Sequence, residues 1–202
     1  MSHRRKDSSD RRKAKQANVK EYYELISPKY FGEQEIGQTP AKTPESVIGR
    51  IVEISLADIT KDYAVMHIKL KFKVYEVVGK KAHTRFVGSD FTIDYLKSLV
   101  RRQTTRVDGI FNIITNDGYK MRITSLVFTE SRIAQRHKFT IRKIMKEIIE
   151  EEANSLSFSE FVKSLIYGQT ATNIYKKSRK IAPIRKVEIL KTKILEAPTV
   201  AS

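Results

Sequence analysis

The sequence contains no cysteine, which excludes a disulfide scaffold, a thiolate zinc site and a cysteine nucleophile. Long apolar runs are also lacking. No stretch approaches the roughly 20 residues that cross a bilayer, and the first residues lack the apolar segment of a signal peptide. We therefore expect a protein of the cytoplasm, a reducing compartment, with no membrane contact.

Recognised catalytic motifs are missing as well. The four histidines show no metal-ligand spacing such as HExxH, Gly79-Lys80-Lys81 is not a phosphate-binding loop, and no serine stands in GxSxG. Asp90 and Asp94 lie four residues apart at the start of a predicted short helix, where carboxylates are typical caps. The sequence therefore predicts no enzyme, no metal site and no cofactor.

Positive charge is abundant and is concentrated at the two ends of the chain, which has a net charge of +16. Residues 1–20 carry eight Lys or Arg against two Asp, and residues 176–193 carry eight against Glu188. Residues 21–175 are nearly balanced, with 23 basic and 19 acidic side chains. Because clustered cations bind phosphate backbones by releasing condensed counterions, both ends are predicted to meet a nucleic acid.

The composition predicts the domain organisation. Residues 1–18 are charged and lack apolar residues at helical spacing, so we predict a disordered basic arm that becomes ordered on RNA. Residues 19–198 are predicted to form a single α+β domain, followed by a tail at 199–202. Within it, residues 47–130 are β-rich, 131–182 are helical and 184–195 form a final strand. The 40% apolar content suffices for one sizeable core.

Hydrophobic periodicity predicts the elements of this domain. An amphipathic piece spans Val19–Phe31. A short helix capped by Asp90 or Thr92 runs through Arg102, with Ile93, Leu96, Leu99 and Val100 on its inner face. Asp117-Gly118 between two alternating runs is typical of a hairpin. The predicted strands are Val47–Ser55, Tyr63–Val78, Ala82–Val87, Val107–Thr115, Tyr119–Phe128 and Ile184–Leu195.

The second half of the chain changes to helical periodicity. Gln135–Ala153 carries one apolar stripe, Ser157 with Glu160 forms a capping-box pattern that opens a second helix, and Thr170–Ile181 predicts a third. The predicted fold class is therefore α+β, a small antiparallel β-barrel or sheet with several attached helices and a disordered basic N-terminal arm.

The longest predicted helix has cations in its first half and glutamates in its second half, the reverse of what the helix dipole favours. A phosphate near the N-terminal half would offset this arrangement, so this end is a candidate RNA contact. A solvated face with paired charges explains the pattern equally well. Two further candidates are the basic loop in LVRRQTTRVDG and the lysine face of the predicted strand Tyr63–Val78, formed by Lys69, Lys71 and Lys73. A solvated loop and protection of a sheet edge are the alternative explanations for these two features.

The predicted RNA-binding residues share a positive charge and a place in the arm, the lysine face, the basic loop, the long helix or the C-terminal stretch. They are Arg4, Arg5, Lys6, Arg11, Arg12, Lys13, Lys15, Lys69, Lys71, Arg101, Arg102, Arg106, Arg136, Lys138, Arg142, Lys143, Lys176, Lys177, Arg179, Lys180, Arg185 and Lys186.

Four ordered blocks carry a family resemblance: GRIVEISLADI at Gly49–Ile59, NDGY followed by LVFT within Asn116–Thr129, IRKIMKEII at Ile141–Ile149 and RKIAPIRKVEILKTKIL at Arg179–Leu195. Together they resemble the archaeal and eukaryotic small-subunit ribosomal protein family S3Ae, called eS1 in unified naming. The resemblance covers about Val19 to Pro198. The segment after Lys193 lacks the longer basic extension of eukaryotic members, so the resemblance suggests an archaeal type.

The resemblance implies a structural constituent of the small ribosomal subunit in the cytoplasm. It implies a location on the platform, near the mRNA exit and the 3′ end of the small-subunit rRNA, with neighbouring ribosomal proteins as partners. Messenger RNA and initiation factors are further partners that it suggests. The main alternative is a peripheral RNA-binding translation or assembly factor that visits the subunit transiently. An RNA-modifying enzyme lacks a cofactor motif here, and a DNA-binding regulator lacks a convincing helix-turn-helix.

Overall fold

The computed structural model describes residues 20–198, so the predicted arm and the tail lie outside the described residues. The described part holds eight strands and five α-helices. The strands are β1 (Glu21–Ile26), β2 (Glu35–Ala41), β3 (Ile51–Ser55), β4 (Ile68–Val78), β5 (Lys81–Phe91), β6 (Arg106–Ile114), β7 (Lys120–Thr129) and β8 (Ile184–Glu196). The helices are α1 (Leu56–Thr60), α2 (Ile93–Leu99), α3 (Gln135–Ser155), α4 (Phe158–Ile166) and α5 (Gln169–Ser178).

The strands form a mixed, open sheet in the order β2-β1-β5-β8-β7-β6, and β4 pairs with both β3 and β5. The α+β class is confirmed, and the open sheet rather than the barrel is the form observed. The sheet is not wholly antiparallel, because β1 runs parallel to β5 with Leu25 opposite Ala82. Alternation of apolar residues marks a strand but does not encode the direction of its partner, which explains this difference.

The chain divides into two compact units. In the first, described for residues 20–54 and 72–86, β1 pairs antiparallel with β2 and the core contains Tyr23, Leu25 and Val74. Phe31 lies edge-on to Phe72, with ring centroids 5.6 Å apart. Aromatic pairs in this geometry add stability beyond that of the area they bury.

The second unit, described for residues 55–71 and 87–198, contains the antiparallel run β5-β8-β7-β6. Helix α3 packs on one face of β6: an added Cβ at Gly109 would lie 3.0 Å from the Met145 methyl. Met145 and its neighbours on the predicted apolar stripe, Ile141 and Ile149, are buried. This confirms the stripe and explains how a helix with so many charges is held.

Helix α2 packs elsewhere on the sheet. Leu99 of α2 forms an apolar cluster with Leu126 and Phe128 of β7. The predicted helix is confirmed with Thr92 at its N-cap, but Ile93 and Val100 are exposed rather than part of an inner face. The helix ends at Leu99, so the predicted end at Arg102 is wrong and the apolar stripe is shorter than its sequence pattern suggests.

The helices at the C-terminal side are joined by polar contacts. The capping box is present, since the backbone N–H of Ser157 donates to the Glu160 carboxylate at 3.2 Å. Glu152 of α3 accepts from the Thr170 hydroxyl at 2.5 Å and from the Asn173 amide at 2.8 Å, both on α5. These bonds fix α5 against α3.

Two predicted strands begin later than expected. In the segment Tyr63–Val78, residues Tyr63–Val65 form a 3₁₀ turn, because the Asp62 carboxylate accepts from the Ala64 N–H and caps it. In Val47–Ser55, Gly49 adopts a positive φ of 86°, so strand β3 starts only at Ile51. The hairpin between β6 and β7 is confirmed, with Gly118 at φ 80°.

The boundaries predicted for a single domain at 19–198 stay a prediction. Within residues 20–198, no helix is both long and apolar enough to cross a bilayer.

Candidate RNA interface

The predicted basic loop lies beside the segment that leads into α3. Thr105 and Thr129 are hydrogen-bonded to each other: the Thr105 N–H donates to the Thr129 hydroxyl at 3.0 Å, and the Thr129 N–H donates to the Thr105 carbonyl at 3.0 Å. The Thr105 hydroxyl also accepts from the Ile133 N–H at 3.2 Å. Buried and half-buried bonds of this kind hold two chain segments at fixed distance. Cations on either segment therefore belong to one surface.

Strand β6 and helix α3 add two further guanidinium groups to this surface. The Arg106 Nε lies 2.6 Å from the Asp108 carboxylate, and the Arg142 Nε donates to the Asp108 carbonyl oxygen at 2.9 Å. Arg106 comes from β6 and Arg142 from α3, so Asp108 joins two residues that are 36 positions apart. Each retains further N–H donors, because a guanidinium carries five.

We call Arg101, Arg102, Arg106, Arg132 and Arg142 the arginine cluster. Arg101 and Arg102 are exposed in the loop after α2, and Arg132 is exposed between β7 and α3. Gln103 and Arg132 line one surface cavity, which shows that the two loops are adjacent. Arg132 was not among the predicted residues. Only the long-range pairing of Thr105 with Thr129 brings it to this surface, and local sequence carries no signal for that pairing.

The N-terminus of α3 supports anion binding at the same surface. Its N-cap is Ala134, which offers no side-chain cap, and no acidic residue stands in the first turn. Arg136 is exposed and Lys138 half-buried in this region. Unsatisfied amides and nearby cations both favour a phosphate at a helix start. Further along the helix, Lys143 pairs with Glu147 at 3.9 Å, so its charge is partly balanced within the protein.

The two lysines predicted on β4 differ in their surroundings. Lys69 is exposed, whereas the Lys71 ammonium lies 3.7 Å from the Asp90 carboxylate. Lys191 of β8 approaches the same carboxylate at 3.0 Å. Asp90 therefore joins β4, β5 and β8 by charge and does not cap α2, although a capping role was predicted for it.

The predicted C-terminal cations fall into two groups. Lys176, Arg179 and Lys180 are exposed at the end of α5 and just after it, and Lys177 lies 3.3 Å from Glu151. Arg185 is used inside the protein, since it donates to the Leu99 carbonyl oxygen and lies over the Phe128 ring at 5.9 Å. Its guanidinium holds α2 on the sheet, a role that charge alone could not predict.

Lys186 belongs to a polar cluster, in which its ammonium contacts Tyr95 and lies 2.9 Å from the Glu188 carboxylate. The Tyr95 hydroxyl donates to Glu188 at 2.9 Å and accepts from the Lys186 ammonium, while His67 stacks on Tyr95 with ring centroids 3.8 Å apart. Burial lowers the pKa of His67 and raises the pKa of Tyr95. Burial alone would lower the pKa of Lys186, but its bonds to Tyr95 and Glu188 raise it.

The arm cations Arg4, Arg5, Lys6, Arg11, Arg12, Lys13 and Lys15 lie outside the described residues, so their predicted role stays a prediction. Among residues 20–198, no group of three or more His, Asp or Glu side chains is arranged to hold a metal ion. What the described surface offers is an array of guanidinium and ammonium groups, suited to phosphate oxygens.

Comparison with known proteins agrees with the resemblance read from the four blocks. The Ribosomal S3Ae family model matches residues 8–198. The small ribosomal subunit protein eS1 of Archaeoglobus fulgidus is 44% identical over 185 residues, which are 91% of this chain and 88% of the relative. The protein of the same name from Staphylothermus marinus is 42% identical over 181 residues, 90% of this chain and 85% of the relative.

The described residues form an α+β fold that carries an array of exposed cations. With the family match over nearly its whole length, the chain belongs to the ribosomal S3Ae family. Its relatives named above are archaeal proteins, in line with the predicted archaeal type.

Proposed function

We propose that the protein is a structural constituent of the small ribosomal subunit and binds its rRNA through the arginine cluster. The convergence of Arg106 and Arg142 on Asp108, beside the loops that hold Arg101 and Arg132, is the observation that carries this proposal. Membership of a ribosomal family supplies the subunit as the setting. Guanidinium groups match phosphate oxygens in geometry and keep their charge when desolvated, so they suit a permanent contact.

The predicted cations of α3 and the C-terminal stretch extend this interface. Arg136 and Lys138 stand at the helix start, where amides and cations favour the same anion, and Lys176, Arg179 and Lys180 stand at the end of α5. If only six cations meet phosphates, the logarithm of affinity should fall with the logarithm of salt at a slope of about −4 to −5. Such a slope is steep enough to measure.

Binding of full-length small-subunit rRNA, transcribed in vitro, tests the arginine cluster. The triple variant Arg101→Gln, Arg102→Gln and Arg132→Gln removes three exposed charges without cutting the Asp108 contacts. We expect weaker binding and a salt slope that is shallower by about 2 to 3. The matched control is Lys29→Gln, Lys80→Gln and Lys163→Gln, three exposed lysines outside the proposed interface. The proposal would be contradicted if both triple variants lost the same affinity for rRNA, or if the arginine variant lost none.

The proposal extends to the position in the subunit. The family resemblance supports a place on the platform, near the mRNA exit and the 3′ end of the rRNA, in contact with neighbouring small-subunit proteins and within reach of mRNA and initiation factors. In assembled subunits, ultraviolet cross-links from this protein should fall in the 3′ region of the rRNA. Cross-links confined to other regions would refute the platform location.

The second candidate is a translation or assembly factor that binds the subunit transiently. The surface pairing of several cations, such as Lys143 with Glu147 and Lys177 with Glu151, favours it, because those charges are balanced without RNA. Exposed pairs contribute little, about 0 to 1 kcal/mol, and RNA displaces them readily. A factor leaves the subunit at high salt, whereas a constituent remains.

A further inference from the structure

The strand register aligns polar side chains in rows across the second unit. In one row, Asn112 of β6 lies opposite Arg122 of β7, which lies opposite Lys193 of β8. In the next row, Thr124 lies opposite Lys191, which lies opposite Asp90 of β5. Directly opposed residues point to the same face of a sheet, with Cβ atoms about 5 Å apart. The two rows therefore share one face.

The other face of these strands is buried. The residues that alternate with those of the two rows point to this other face, and they are buried: Ile113, Met121 and Ile123. Gly109 points to the same face and packs against Met145 of α3. Near Leu126 and Phe128, the first face is covered by α2. From Thr124 back toward the start of β7, the same face carries exposed side chains, including Arg122, so this part of it is open to solvent. We call this part the open face.

The open face is strongly basic. Six cations on three strands point to this face: Lys69, Lys71, Lys120, Arg122, Lys191 and Lys193. Lys71 belongs to the face because its ammonium reaches Asp90, and Lys69, two residues earlier on β4, points the same way. Its carboxylates are Asp90, which Lys71 and Lys191 share, and Glu196, which lies 2.5 Å from Lys120.

In the described part of the chain, three of these cations have no acidic partner. Within residues 20–198, Lys69 and Lys193 form no ion pair, and the Arg122 Nε donates to the neutral Asn112 side chain at 2.9 Å. Like charges on neighbouring strands repel each other, which disfavours this arrangement in the isolated protein. A polyanion above the face would remove that repulsion.

We propose that the open face is a second RNA-binding surface, which holds the phosphate backbone of an rRNA segment other than the one at the arginine cluster. This inference rests on the proposed ribosomal function. The cations are spaced about 5 Å across strands and about 7 Å along them, a grid that suits a chain of regularly spaced phosphates. The exposed Ile110 and Ile114 of β6 border the grid and give an apolar margin for ribose.

An acidic protein segment is the other occupant that charge would allow. Extended peptides bind sheets by adding to an edge strand and by seating side chains in pockets. The open face instead consists of the broad side of β8 and its neighbours, with long flexible side chains. These features favour a nucleic-acid backbone, because phosphates need charge but no pocket.

Directed cleavage of RNA in assembled small subunits tests the proposal. The natural sequence has no cysteine, so a single introduced cysteine can carry a tethered iron chelate that cleaves nearby RNA. Asn112→Cys places the probe on the open face, Ser131→Cys places it beside the arginine cluster, and Glu33→Cys is an exposed control in the first unit. We expect strong cleavage from the first two positions, in different rRNA segments.

The outcomes separate this inference from the proposed function. Cleavage from position 131 but not from position 112 would overturn the second surface and leave the first intact. In that case, chemical cross-linking of Lys193 to a neighbouring protein would identify the acidic-segment alternative. Loss of the protein from the subunits, with no cleavage from either position, would overturn the proposed function itself.

A charge variant gives an independent readout. The triple Lys69→Gln, Arg122→Gln and Lys193→Gln removes the three cations without an acidic partner and leaves the Asp90 contacts in place. We expect its salt slope for small-subunit rRNA to be shallower by about 2 to 3 than that of the natural protein. The Lys29, Lys80 and Lys163 triple again serves as the control. A slope equal to the natural protein's would contradict the second surface, provided that its unfolding transition is unchanged.

Discussion

Arg142 and Asp108 are joined through the backbone: the Arg142 Nε donates to the Asp108 carbonyl oxygen at 2.9 Å. The side chain of Asp108 is thereby left to bind Arg106, at 2.6 Å. One residue of an edge strand thus fixes two guanidinium groups, one by its main chain and one by its side chain. This arrangement separates their effects, because a substitution at Asp108 releases Arg106 and keeps Arg142 in place.

We predict that Asp108→Ala strengthens rRNA binding. The substitution removes a carboxylate from the arginine cluster and frees Arg106 for a phosphate, so the salt slope should steepen by about 1. The unfolding free energy should change by less than about 1 kcal/mol, since the pair is exposed. Binding titrations at four salt concentrations measure the slope. Asp58→Ala, which removes an exposed carboxylate on α1, is the control and should leave it unchanged. Weaker binding by the Asp108 variant would count against an RNA contact here.

Arg185 is expected to act on stability rather than on RNA. Arg185→Gln removes its bond to the Leu99 carbonyl and its contact with the Phe128 ring, so the unfolding free energy should fall by about 2 kcal/mol. The salt slope of rRNA binding should stay the same. Urea denaturation and binding titrations check the two parts. Arg179→Gln, at an exposed site, should leave the unfolding free energy unchanged and make the salt slope shallower. The same result for both variants would contradict these roles.

His67 should make stability depend on pH. Because the folded protein lowers its pKa below 6.5, the unfolded chain binds this proton more readily. The unfolding free energy should therefore decrease as pH falls from about 7.5 through 6.5 toward the folded pKa, and should be highest above that range. His67→Phe keeps the stack on Tyr95 without titrating, so its stability should change less over the same interval. Parallel curves for the two proteins, from denaturation at several pH values, would rule out this contribution.

Gly109 allows α3 to approach β6. An added Cβ would lie 2.5 Å from the Phe111 ring and 3.0 Å from the Met145 methyl, so the ends of these two side chains must shift and Gly109→Ala should destabilise the protein by about 1 kcal/mol. Thermal unfolding measures the change. Ile114→Ala, at an exposed position of the same strand, is the matched control. If both variants melt at the natural protein's temperature, the packing described for α3 is wrong.

Much of this fold could be predicted because its signals are local. The alternation in β4, the Asp117-Gly118 turn and the apolar stripe of α3 each determine an element within a few residues. The parallel pairing of β1 with β5 has no such signal, since it depends on contacts about 57 positions apart. The 3₁₀ turn at Tyr63–Val65 was missed because one carboxylate, Asp62, caps it within a run that otherwise alternates like a strand.

The candidate RNA interface could be predicted only in part, because its assembly also depends on contacts between residues far apart in sequence. Net charge identifies Arg101 and Arg102 as binding candidates, but it does not show that Arg132 lies beside the loop that carries them or that Arg185 holds α2. The rows on the open face depend on the register of β7 with β8, where Arg122 lies opposite Lys193. Register depends on the packing of the opposite face, so it emerges only from the folded sheet.

Sedimentation through sucrose gradients tests the ribosomal role most directly. A lysate is run at low and at high salt, and this protein is followed beside a known small-subunit protein. We predict that it migrates with small subunits and whole ribosomes at both salt concentrations, and that the Arg101, Arg102 and Arg132 triple variant is partly released at high salt. Release of the natural protein at high salt would indicate a transient factor, and its absence from ribosomal fractions at both concentrations would contradict the proposed function.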